Sequence, residues 1–142
     1  MIRYFDSSAL AKRYLDEPGS ESVARWLEGG SKATSRITGV EVASAVARRI
    51  RGGRLAPAEA DILAPAFDED TRGLLFVEVS DTVVRKARTL VFLHSLRAAD
   101  ALHLASALHL RERSGRPVVL VSWDADLLRA ARAEGLRTLG GA

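Results

Sequence analysis

Along the chain, short runs of apolar residues alternate with stretches in which apolar residues return every three or four positions. Ile2 to Phe5 is a run of β-formers that stops at Asp6 and passes at once into Ser7-Ser8 and a helical pattern. That helix is predicted to run to about Leu15, where the turn-forming Asp16-Glu17-Pro18-Gly19-Ser20 ends it. Ser20 to Glu28 reads as a second helix closed by Gly29-Gly30. Lys32 to Ser35 reads as a short extended segment, and about Ile37 to Arg51 as a helix closed by Gly52-Gly53. Leu55 to Asp70 predicts a further helix with Pro57 near its first turn, and Leu74 to Ser80 a strand. Asp81 to His94 and Arg97 to Arg113 are helical in period. Pro117 to Ser122 has the β-branched run of a buried parallel strand, Asp124 to Gly135 is a helix with glycine at its end, and Leu136 to Leu139 is an edge-strand candidate. Short strands separated by helices predict an α/β fold, a central parallel sheet with helices on both faces. The 142 residues are expected to form a single domain over 1–142, because 47% hydrophobic content supplies one core and the length is short for two.

Composition excludes several classes. With no cysteine there is no disulfide framework and no thiolate metal cluster, so a reducing, cytoplasmic setting is the expectation. No apolar run approaches the roughly 18 residues of a membrane span, and the first residues lack a secretory pattern. The net charge of +3, carried mostly by arginine, permits a polyanionic partner without requiring one. Walker A, dinucleotide-binding and nucleophile-elbow patterns are absent. His103 and His109 lie about 240° apart on a helix and do not chelate together, although His103, one turn from Asp100, is placed to tune that acid.

Four acids carry the candidate chemistry. Asp6 and Asp124 each follow a predicted strand and so belong at the carboxyl edge of the sheet, where open α/β folds bind ligands; each is equally an N-cap position. Asp100 lies in the nearly all-apolar Ala98 to Leu110 stretch, where an ionised carboxylate needs a cation, a hydrogen-bond cage or a metal; its first-turn position equally suits the helix dipole or a pair with Arg97. Glu41 falls opposite the apolar stripe Val42, Val46 and Ile50, on a face shared with Ser44, Arg48 and Arg51. That face fits both a solvated surface and the rim of a cleft. The basic group Arg48, Arg49, Arg51 and Arg54 is a candidate phosphate-contacting patch, and it equally suits a helix C-terminus. Leu10, Tyr14, Val23, Trp26 and Leu27 are core candidates that also suit a groove for a partner helix.

Together, "YFDSSAL", "SRITGVEVASAVARR", "LRAADALHLASAL" and "VVLVSWDADLLRAA", each with an acid, resemble the PIN-domain nucleases, and among them the VapC-type toxins of prokaryotic toxin–antitoxin pairs. The resemblance spans nearly the whole chain and implies a PIN-like fold. It carries the family's catalytic, metal-binding acids onto Asp6, Glu41, Asp100 and Asp124, with Ser122 as a supporting hydroxyl and Asp126 as an alternative to Asp124. Ser7 and Ser8 match the small hydroxyl positions after the first acid. Four converging carboxylates repel one another unless a divalent cation neutralises them, and all-oxygen ligands suit Mg²⁺ or Mn²⁺. The expectation is a Mg²⁺-dependent endoribonuclease, with Arg48 and Arg51 as RNA contacts. The resemblance further implies a VapB-type antitoxin and a homodimer. The alternative is a catalytically silent PIN-like module that binds RNA or protein and uses its acids as caps.

Overall fold

The structure is a computed structural model and describes residues 1–141. Among them are five strands: β1 (Ile2–Phe5), β2 (Ser31–Ser35), β3 (Leu75–Val77), β4 (Val118–Ser122) and β5 (Arg137–Gly140). Seven helices join them: α1 (Ser7–Ala11), α2 (Ser20–Trp26), α3 (Thr38–Arg51), α4 (Glu59–Asp70), α5 (Asp81–His94), α6 (Ala98–Ser114) and α7 (Ala125–Ala133). The strands form one sheet in the order β3-β2-β1-β4-β5, and every neighbouring pair is parallel. β1 is therefore central, flanked by β2 and β4, and the β4 residues Val118 to Ser122 are all buried.

The period-two alternation of β1 divides the core. Ile2 and Tyr4 join Val118 and Leu120 in one apolar cluster, covered by α5, α6 and α7; Phe5 and Val121 point the other way, into a second cluster with residues of α1, α2 and α3. The parallel sheet is thus covered on both faces, as the alternating elements predicted. Leu10 and Val23 are core residues of the second cluster, and Tyr14, Trp26 and Leu27 pack against it, so the residues considered for a partner groove are engaged inside the fold.

Several boundaries differ from expectation, among them the start of α4, which begins at Glu59 and not Leu55 and leaves Pro57 in the preceding turn. α1 stops at Ala11 because Lys12, Arg13 and Tyr14 bond three residues back, to Ala9, Leu10 and Ala11, which tightens the chain out of α-helical geometry before Leu15. α2 ends at Trp26, short of Glu28. β3 keeps three residues at the sheet edge, because the chain then leaves for Ser80, whose hydroxyl caps α5 by accepting from Val83 N at 3.2 Å.

The turn from Leu15 to Ser20 is tightly built. Ser20 Oγ donates toward the carbonyls of Leu15 and Glu17 and accepts from Glu17 N at 3.1 Å. Gly19 has φ +99°, and a Cβ there would come within 2.5 Å of the Trp123 ring. Gly19→Ala combines a strained backbone with a steric conflict, so it is expected to lower stability by about 2 kcal/mol or more, read as an earlier midpoint in urea unfolding.

Candidate active site

The amide of Asp6 donates to Val121 O at 3.1 Å, continuing the β1–β4 pairing one residue past the strand and fixing the acid at the carboxyl edge of the sheet. Its side chain is buried and fully engaged. Oδ1 accepts from Ala9 N at 2.8 Å, Oδ2 from Ser122 Oγ at 2.6 Å, and Ser8 Oγ lies 2.8 and 2.9 Å from the two oxygens. Burial pushes the Asp6 carboxyl above its ordinary value; His103, Ser122, Ala9 and Ser8 act against that rise. Asp6 is thus both an N-cap and a cleft residue.

Ser122, wholly buried, joins two acids: its hydroxyl donates to Asp6 and accepts from Asp124 N at 3.0 Å. Asp124 caps α7 with Oδ1, which accepts from Leu127 N at 2.9 Å, while Oδ2 accepts from Arg97 Nη2 at 3.3 Å. Asp100, in the first turn of α6, lies 3.6 Å from Arg97 Nε. Its pKa is raised to about 6, first by burial and then by the negative charges of Asp124 and Asp6, against the pull of Arg97 and His103.

Glu41 is fixed by a residue singled out in the sequence only as a neighbour of Asp100. His103, 1% exposed, has its Nε2 2.7 Å from Glu41 Oε1 and 3.0 Å from Ser7 Oγ, and its Nδ1 2.8 Å from the hydroxyl of Tyr4. Burial drives the Tyr4 hydroxyl well above its ordinary pKa, and its hydrogen bond with Nδ1 holds the imidazole so that Nε2 faces Glu41. For Glu41, burial acts upward but is outweighed by the hydrogen bond and charge of His103, with help from Ser7, and its pKa falls. The sequence signal for His103 was its place on the buried side of α6, three residues after Asp100.

Asp6, Glu41, Asp100 and Asp124, from four separate parts of the chain, line one open cleft of about 650 Å³. Arg48 lines it too, with Lys12, Arg49, Arg54 and Arg97, whereas Arg51 is exposed and outside the lining. Asp126 also lies outside it, facing solvent in a 2.9 Å pair with Arg129. Among the described residues, no three His, Cys, Asp or Glu side chains are grouped closely enough to hold a metal ion by themselves. The donor set nevertheless fits a hard divalent ion. All the donors are oxygens, the charges on Asp100, Asp124 and Asp6 oppose one another, and Mg²⁺ keeps most of its waters and needs only one or two carboxylates.

The model of the PIN domain family matches residues 3–133. The chain belongs to the PIN-domain family. Within it, the VapC type is indicated by Ribonuclease VapC45 of Mycobacterium tuberculosis (strain CDC 1551 / Oshkosh), 35% identical over 136 residues that cover 94% of this chain and 92% of the relative. The fold is shared with PAE2754 from Pyrobaculum aerophilum, at a TM-score of 0.67 and 19% identity over 97% of this chain and 83% of the other. A toxin–antitoxin complex from Klebsiella pneumoniae superposes with a TM-score of 0.65 and 17% identity over 89% of each chain. PIN-domain ribonucleases are in general dependent on divalent metals. Among the described residues, no helix of this PIN domain is long and apolar enough to cross a membrane.

Proposed function

We propose that this PIN domain is a Mg²⁺-dependent endoribonuclease, with Mn²⁺ as a substitute ion, acting in the cytoplasm as the toxin of a toxin–antitoxin pair. Residues 1–142 make one catalytic unit, it assembles as a homodimer, and a VapB-type antitoxin holds it in check. The observation that carries this reading is the convergence of Asp6, Glu41, Asp100 and Asp124 on one cleft at the carboxyl edge of the sheet. The ribonuclease name of the M. tuberculosis relative supports the reaction, and the K. pneumoniae complex supports the partner.

A divalent ion in the cleft supplies Lewis-acid activation of water and of the phosphodiester. The chain supplies placement. Asp6 is held by Ser8, Ser122 and the amide of Ala9, Glu41 is oriented by His103, and Arg48 offers its guanidinium to the strand. Hydrolysis by water, with no covalent protein intermediate, is the reaction proposed, because a divalent ion that activates water removes the need for a side-chain nucleophile.

One observation favours the silent binding module: Asp6 and Asp124 do cap helices. Each cap, however, uses one oxygen and leaves the other directed to Ser122 or Arg97. A panel of structured and single-stranded RNAs, incubated with antitoxin-free protein in Mg²⁺, Mn²⁺ or chelator, decides between them. Metal-dependent cutting is expected; folded protein that binds the RNAs and cuts none of them in either metal would favour the binding module.

A further inference from the structure

The cleft holds a second charged group that the four acids do not use. Lys12 is 8% exposed, and its Nζ lies 3.0 Å from Glu17 Oε1 and 4.8 Å from the centre of a Trp123 ring. Arg49 reaches the other oxygen of the same carboxylate, Nη2 to Oε2, at 2.6 Å. Glu17 therefore grips two cations from different elements, and the trio keeps a net charge of +1. The grip is built into the backbone: Ser20 closes the turn that carries Glu17, and Gly19 lets that turn lie against both Trp123 and the stem of Lys12. A lysine so buried needs a carboxylate beside it, but a staple alone needs one cation and not two. Among the described residues, Lys12 spends one of its three ammonium protons in a hydrogen bond and Arg49 one of its five N–H groups, so both retain donors on a cleft wall.

We propose that Lys12 and Arg49, held in register by Glu17, form a subsite for a non-scissile phosphate of the RNA strand. Glu17, which also lines the cleft, is the positioning residue, since its two oxygens are taken by the two cations. The subsite is separate from the acids because its cations pair with Glu17, while Arg97 pairs with Asp100 and Asp124. This inference rests on the reading of the cleft as an RNA site.

The test is fluorescence anisotropy of a short labelled oligouridylate in chelator, with wild type, Lys12→Met, Arg49→Gln and Arg116→Gln, across a series of KCl concentrations. Arg116 lies before β4, at the opposite edge of the sheet, and corrects for the loss of one charge. Lys12→Met keeps the stem against Trp123, and Arg49→Gln reports independently should the first variant fold poorly. Each is expected to weaken binding about 5- to 10-fold and to reduce the salt slope by about 0.7, the value for one phosphate contact on a single strand, while Arg116→Gln stays near wild type. A purely structural trio would leave the salt slope unchanged. Wild-type binding with unaltered slopes in folded Lys12→Met and Arg49→Gln would overturn the subsite alone; no binding by wild type even at low salt would overturn it together with the RNA reading.

Discussion

Asp100→Asn is expected to abolish cleavage while making the metal-free protein more stable at neutral pH. The activity loss, on the order of 10²-fold or more, follows if this carboxylate helps to hold the divalent ion. The stability gain follows from its surroundings. Burial and the charges of Asp124 and Asp6 raise its folded-state pKa to about 6, from an ordinary value of 3.8. An acid shifted upward binds its proton more tightly in the folded protein than in the unfolded chain, so its contribution to stability falls as pH rises between those two values and stays low above them. The asparagine variant does not lose this contribution. Thermal melts in chelator should therefore give equal Tm for variant and wild type below the ordinary value, separating through the interval in favour of the variant. Added Mg²⁺ should raise the Tm of wild type and leave the variant unmoved. A variant less stable than wild type at neutral pH, in chelator and in Mg²⁺ alike, would assign Asp100 to the ion pair with Arg97 alone.

Asp6 separates capping from chemistry through two substitutions. Asp6→Ala removes the acceptor for Ala9 N and leaves the buried hydroxyl of Ser122 without its carboxylate, so a loss of about 3 kcal/mol is expected in urea unfolding. Asp6→Asn keeps an oxygen for Ala9 N and should lose only about 1 kcal/mol. Both should cut at least about 10²-fold more slowly. If the residue served only as a cap, activity would follow stability, and Asp6→Asn would recover most of the cleavage that Asp6→Ala loses.

These residues also show how far the sequence can be read. The parallel sheet, the placing of Asp6 and Asp124 at its carboxyl edge, and a last edge strand, expected at Leu136 to Leu139 and found one residue later at Arg137–Gly140, were legible because they follow from local period and from connectivity. The choice between cap and cleft residue was not legible, and the structure explains why: both acids divide their two oxygens between the tasks. Glu41 stayed open on the helical wheel because the residue that orients it, His103, is 62 positions away and meets it only after α6 packs on the sheet. Asp16 to Ser20 reads locally as a helix terminator. That its glutamate returns to hold Lys12 and Arg49 is a tertiary fact. Arg48 and Arg51 share a face of α3, yet the cleft takes in Arg48 and Arg49 and then the loop residue Arg54, leaving Arg51 in solvent.

The central claim, that the acids of this cleft hold a divalent ion, is tested most directly by isothermal titration of Mn²⁺ into antitoxin-free wild type, Asp6→Asn and Asp100→Asn. Binding to wild type is expected, with proton release when the titration is run near the Asp100 pKa of about 6, and affinity at least about 10-fold weaker in each variant. Equal binding by all three proteins, or none by folded wild type, would contradict it.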